Sequence, residues 1–148
     1  MKIYITRRIP EIGIKRLKDK GYELDINPKD RVLSKSELIK ILKKTSYHAI
    51  LCLLTDKIDG DVFDAASNAK IFANYAVGFD NINLEEAKKR GVMISNTPGV
   101  ISEAVAEHSI ALMLAVARRI AESDKFVRAG KYKGWAPMLL LGNGFFGK

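Results

Sequence analysis

The chain alternates five times between short strand-like runs and amphipathic segments, and this alternation constrains its fold more than any other feature. Lys2–Arg7 is β-branched and aromatic and predicts a strand. Pro10-Glu11 then opens a helix, because Pro fits the first helical position and Glu suits the amino-terminal dipole; Gly21 closes it. Tyr22–Ile26 is a second, shorter strand. Ser34-x-x-Glu37 is a capping-box signature, followed by Leu38, Ile41 and Leu42 at helical spacing. His48–Leu54 is a continuous apolar run, which predicts a strand buried on both faces. Asp59–Asn68 reads as a short helix with Val62, Phe63 and Ala66 inward, and Ile71–Val77 as the fourth strand. Asn83-x-x-Glu86 begins another helix, whose Lys88-Lys89-Arg90 end and Gly91 stop complement the dipole. Val92–Asn96 is the fifth strand. Strands alternating with helices predict a parallel α/β sheet covered on both faces. Right-handed crossovers leave few topologies, of which the flavodoxin-like strand order 2-1-3-4-5 is expected here.

After Thr97-Pro98-Gly99 the character changes. The expected organisation is a domain over 1–100, a long connecting helix over 101–131 and an apolar tail over 132–148. Ser102 is the expected cap of a single helix running from Glu103 to about Ala129, with Gly130 as its stop. Its centre, Ser109–Ala117, is apolar nearly all round, so another domain or subunit should cover it. The tail carries Trp135, Pro137, three leucines and two phenylalanines and is too apolar to be free. A length of 148 residues leaves no room for two full α/β domains.

Composition narrows the function classes. Against 17 acidic residues stand 25 Lys and Arg, a net charge of +8. These basic residues are spread over helical faces with no aromatics between them, which argues against nucleic acid. The longest wholly apolar stretch is Ile110–Ala117, too short to span a membrane. Cys52 is the sole cysteine, so no disulfide framework forms within the chain, as suits a cytoplasmic protein. It reads as a small core residue. Two histidines and one cysteine show no metal-ligand spacing, so no metal site is expected.

Open α/β sheets bind ligands beyond the carboxyl ends of their strands. Two such ends are informative: Leu53-Leu54-Thr55-Asp56-Lys57 after strand three, and Ala76-Val77-Gly78-Phe79-Asp80-Asn81 after strand four. Gly78 would permit a turn at positive φ, and consecutive N–H groups in such a turn make a concave anion site. A small carboxylate fits there without a charged side chain. The plainer reading is that Gly78 only turns the chain and Asp80 or Asn83 caps the next helix; spacing alone favours it. Gly142–Gly147 formally matches G-x-G-x-x-G, but the dinucleotide fingerprint needs a strand before it and a helix after it, and only Lys148 follows. His108 adjoins Glu107, yet helix neighbours point about 100° apart and no third group is evident. His108 and His48 are therefore read as structural or surface residues. Nucleophile motifs such as G-x-S-x-G are absent. Thr6-Arg7-Arg8 lacks the acidic cluster of a receiver domain, and Arg8–Glu11 lacks the phosphate loop of a flavodoxin.

Three runs occur in order: YAVGFDNI (Tyr75–Ile82), GVMISNTPGV (Gly91–Val100) and EAVAEH (Glu103–His108). Together they closely resemble the D-isomer-specific 2-hydroxyacid dehydrogenases. Ile5–Pro10, Gly134–Pro137 and Leu141-Gly142 resemble the glyoxylate/hydroxypyruvate reductase branch. The resemblance implies a flavodoxin-like substrate-binding domain, a helix over 102–129 that crosses to a Rossmann domain and forms a homodimer, and NAD or NADP as cofactor. It implies hydride transfer to a small 2-oxo acid such as glyoxylate. It implies that the backbone at Val77 and Gly78 holds the substrate carboxylate, that Leu53 and Leu54 line the pocket, and that Trp135 reaches towards the partner subunit's site. Ser102 and Val105 would approach the nicotinamide. In the family the run matching Gly142–Lys148 precedes the first Rossmann strand, and the catalytic Arg, Glu and His follow it. The expectation is therefore the N-terminal, substrate-binding part of such an enzyme, with no catalytic residue of its own. Alone it would bind no cofactor and be inactive, with a separate nucleotide-binding domain as a candidate partner. The alternative is a non-enzymatic dimerisation or partner-binding module derived from the family.

Overall fold

Five short parallel strands form the centre of the fold in the computed structural model, which describes residues 1–145. They are β1 (Lys2–Ile5), β2 (Glu23–Ile26), β3 (Ala49–Leu53), β4 (Ile71–Tyr75) and β5 (Met93–Ser95), in the order β2-β1-β3-β4-β5. The helices between them are α1 (Glu11–Asp19), α2 (Lys35–Lys44), α3 (Gly60–Ala65) and α4 (Leu84–Lys89). The flavodoxin-like α/β order expected from the strand–helix alternation is the order observed.

The two sheet faces are covered unequally. Tyr4, Ile50 and Phe72 stand side by side in register and meet Leu38 and Leu42 of α2, Val62 and Phe63 of α3, and Ala87 of α4. Phe63 and Phe72 meet edge-to-face, the arrangement that brings a ring edge onto a π face. The opposite face is covered by α1 through Ile14, against Ile3 and Ile5. Strand β3 reflects this difference. Ile50 and Cys52 are buried while Ala49, Leu51 and Leu53 are only partly so. Its unbroken apolar run thus marks a half-covered strand, not one buried equally on both faces.

Helix α2 starts as its sequence predicts. Ser34 Oγ accepts from the Glu37 N–H at 3.3 Å, and the Glu37 carboxylate accepts from the Ser34 N–H at 3.0 Å. The Arg31 guanidinium, followed by the Ser34 N–H and the Ser34 hydroxyl that donate to the carboxylate, pulls the Glu37 carboxyl down to about 2 from an ordinary 4.5. A depressed carboxyl stabilises the fold above its unfolded value, and that stabilisation fades as pH falls from 4.5 towards 2. In Glu37→Gln, denaturant midpoints should accordingly fall less between pH 5 and pH 2 than in the native chain, roughly over the window linkage assigns. Parallel pH profiles for the two proteins would contradict this.

The chain divides into two units, Met1–Gly99 and a second beginning at Val100. In the second, the single helix expected over 102–129 is replaced by two, α5 (Ser102–Ala117) and α6 (Ile120–Arg128). Arg119 adopts the left-handed conformation, φ 53° and ψ 38°, and ends the first helix. The physical cause lies in the tail. The Asn143 N–H donates to the Ala117 carbonyl at 2.7 Å, and Gly142 lies so close that a Cβ there would be 2.4 Å from that oxygen. Arg119 then pairs with Glu122 at 2.5 Å in the first turn of α6, where an acidic side chain suits the dipole. Ser102 does not cap α5. The cap is Ile101, with no side-chain hydrogen bond, and Ser102 is already helical. The apolar centre of α5 stays exposed, with Ile110, Leu112, Met113 and Val116 all open to solvent. No helix among the described residues is long and apolar enough to cross a membrane.

Candidate functional site

The sheet row that is apolar in the middle turns polar at its carboxyl end. Beyond Tyr4, Ile50 and Phe72 the same face carries Thr6, Cys52 and Asn74, all fully buried. Buried polar groups need partners, and these find theirs in the two loops above them. Thr6 Oγ1 donates to Asp56 Oδ2 at 2.5 Å, and the same oxygen accepts from the Leu53 N–H at 2.8 Å. Asp56 is only 4% exposed, so it belongs to the frame of the site and not to its surface. Asn81 Nδ2 donates to the carbonyls of Leu53 at 3.1 Å and Asp56 at 3.0 Å. The Ile58 N–H donates to the Asn81 carbonyl at 2.8 Å, and the Asn83 N–H to that of Ile58 at 2.9 Å. The loop after β3 and the loop after β4 are thereby joined. Leu53 and Leu54 on one side, and Val77 and Gly78 on the other, belong to one rigidly linked pair of loops.

The second loop is tied by its carbonyls. That of Ala76 accepts from the Thr97 N–H at 2.9 Å, that of Val77 from Asn96 Nδ2 at 2.8 Å, and that of Gly78 from Asn74 Nδ2 at 2.9 Å. The N–H groups of Val77 and Gly78 donate to nothing among the described residues. Free neighbouring amides at the carboxyl end of a parallel sheet form an anion-accepting surface. Leu54, Val77 and Phe79 are exposed and give it an apolar border.

Some expectations change. Gly78 is not at positive φ; the loop is shaped by asparagine side chains instead. A Cβ at Gly78 would meet only Asp80 Oδ2, at 3.7 Å, so glycine leaves the backbone open to approach. The α4 cap is Asn83, which accepts from the Glu86 N–H at 3.0 Å, and not Asp80. Cys52 is a buried thiol pushed up to about 12 by burial and by the nearby Asp56 charge, which removes it as a nucleophile. His48 Nδ1 accepts from the Lys2 N–H at 3.2 Å, and His108 is exposed on α5. Trp135 belongs to the second unit and is 81% exposed. Of the Gly142–Gly147 match, Phe146 and Gly147 lie outside the described residues, as does Lys148. Gly142 itself serves the contact with Ala117. No group of three His, Cys, Asp or Glu among the described residues could hold a metal ion.

A dinucleotide needs a glycine-rich turn between a strand and a helix to hold its pyrophosphate. The first such junction here, Thr6–Pro10, has no glycine, and α1 is capped by Pro10 without a side-chain bond. Ser102 and Val105 are exposed in the first turn of α5. One hydroxyl and one isopropyl group can border a nicotinamide but cannot hold a dinucleotide. The residues that sequence reasoning missed are Asp56 with Thr6, and Asn74, Asn81 and Asn96. Asn74 did carry a signal. It falls two positions after Phe72, on the inward face of an otherwise apolar strand.

A parallel sheet of this order, with free amides at its carboxyl end, defines a flavodoxin-like α/β domain. The chain belongs to the D-isomer specific 2-hydroxyacid dehydrogenase family, whose catalytic-domain model matches residues 3–136. It is 45% identical over 151 aligned residues to a glyoxylate reductase of Thermococcus litoralis, covering 99% of this chain and 45% of that protein. A glyoxylate reductase of Thermofilum pendens is 47% identical, with 99% and 43% covered. Among solved structures, a Thermus thermophilus protein superposes with TM-score 0.90 at 38% identity, covering 97% of this chain and 45% of its own. A Polaromonas protein described as a D-isomer specific 2-hydroxyacid dehydrogenase, NAD-binding, superposes with TM-score 0.91 at 31% identity, with 99% and 45% covered. The chain spans less than half the length of these relatives.

Proposed function

We propose that the chain is the substrate-binding part of an NAD(P)-dependent D-2-hydroxyacid dehydrogenase of the glyoxylate reductase type. The observation that carries this reading is the loop after β4. Its carbonyls are anchored, and the amides of Val77 and Gly78 are free to receive a carboxylate. Leu53 and Leu54 border the bound acid. The substrate is a small 2-oxo acid, with glyoxylate the first choice from the relatives' names. The cofactor, when bound in the whole enzyme, supplies the hydride, and Ser102 and Val105 border its nicotinamide. Trp135 reaches the site of a partner subunit.

Taken alone, the 148-residue chain binds the acid and does not reduce it. Titration of the ¹⁵N-labelled chain with glyoxylate should shift the Val77 and Gly78 amides, while NADH or NADPH with glyoxylate should give no turnover. Unmoved amides would sink the carboxylate site. Turnover above background would sink the inactivity.

A second reading, a non-enzymatic dimerisation or partner-binding module, is favoured by the exposed apolar residues of α5. Both readings place a homodimer contact on the 102–129 region. A strictly monomeric species in light scattering at micromolar concentration would count against that contact.

A further inference from the structure

We propose that Asn96 is a positioning residue that aims the Gly78 amide of the carboxylate site, that Asn74 fixes the peptide following Gly78, and that Asn81 locks this loop to the Leu53–Leu54 border. This rests on the carboxylate reading of the loop given above. A trans peptide is planar, so its N–H points away from its own C=O. Holding a carbonyl therefore fixes the direction of the next residue's N–H. Asn96 Nδ2 holds the Val77 carbonyl at 2.8 Å, which aims the Gly78 N–H. Asn74 Nδ2 holds the Gly78 carbonyl at 2.9 Å, which aims the Phe79 N–H. The Thr97 N–H does the same for Val77 through the Ala76 carbonyl. All the acceptors are carbonyls, so the side-chain amides can only donate, and their orientation is fixed by chemistry.

The lock is a chain of bonds. Asn74 Nδ2 also donates to Asn81 Oδ1 at 3.1 Å, and Asn81 Nδ2 continues to the carbonyls of Leu53 and Asp56. Asn74 is 2% exposed, with a donor group spanning strand and loop. A Cβ built at Gly78 would come within 4 Å of no asparagine and meets only Asp80 Oδ2, at 3.7 Å. The asparagines act through the backbone, not on the ligand.

The test uses the full chain and Asn96→Ala, whose lost bond is exposed and whose fold should survive; Asn74→Leu, of the same branched shape, is the buried counterpart. Two readouts separate the issues. Without ligand, the ¹⁵N heteronuclear NOE of Gly78 in Asn96→Ala should fall while that of Phe72 stays constant. With glyoxylate, affinity should drop about tenfold at an unchanged melting temperature, the size expected when an amide no longer faces an anion. A purely structural role would move the melting temperature and leave affinity alone. An unchanged Gly78 NOE and an affinity within about twofold of native would overturn the proposal, where 1.4 kcal/mol is the tenfold scale. A native chain that ignores glyoxylate would instead overturn the carboxylate reading, and the ligand-free NOE would still judge the tether by itself.

Discussion

Replacing Asp56 by alanine is expected to destabilise the first unit by roughly 2–4 kcal/mol, because two donors lose their shared acceptor in a dry site. The Thr6 hydroxyl and the Leu53 N–H both end on Asp56 Oδ2, at 2.5 and 2.8 Å. The Thr6 hydroxyl, on a residue 1% exposed, has no water to turn to once the carboxylate is gone. The turn would also loosen, for the Asp56 N–H returns to the Leu53 carbonyl at 3.0 Å and depends on the same geometry. Chemical denaturation of the full chain measures this directly. Asp56→Asn keeps an oxygen for both donors and should recover part of the loss. Equal midpoints for native and Asp56→Ala proteins would mean that the polar layer at the carboxyl end of the sheet contributes nothing net.

Gly78→Val should weaken glyoxylate binding roughly ten- to a hundredfold while leaving the fold intact, the range expected when a charge-assisted amide contact is lost. The fold survives because the space at Gly78 is open and its φ is not in the left-handed region. Binding suffers because a branched side chain stands where the carboxylate would approach the backbone. Isothermal titration beside thermal melts separates the two effects. Retained affinity in a folded Gly78→Val protein would show that the acid does not use this backbone.

What was legible in the sequence was local. Strand and helix periods, the Ser34–Glu37 box and the Asn83 cap depend on residues within a turn of each other, and each formed as its pattern predicts. The strand order followed from alternation plus crossover handedness. The misreadings arise where distant residues decide. Arg119 carries no stop signal; the break comes from Gly142 and Asn143, more than 20 positions later. Gly78 looked like a left-handed turn because glycine permits one, but the asparagines bonded to the loop made it unnecessary. Thr6 and Asp56 were each visible beside the right strand ends, yet their pairing spans 50 positions and becomes evident only once β1 and β3 lie side by side.

The bond from Asn143 to the Ala117 carbonyl has a consequence for the order of synthesis. All five strands of the first unit lie before residue 96, so the residues of its sheet are made before those that close the second unit. The second unit is in the opposite position. Its helix break is closed by residues 142 and 143, so the geometry between α5 and α6 stays unclosed until translation has passed them. Domains generally fold as units, amino-terminal first. The apolar side chains of α5 therefore belong to a unit whose closing contact is supplied by residues made after both of its helices.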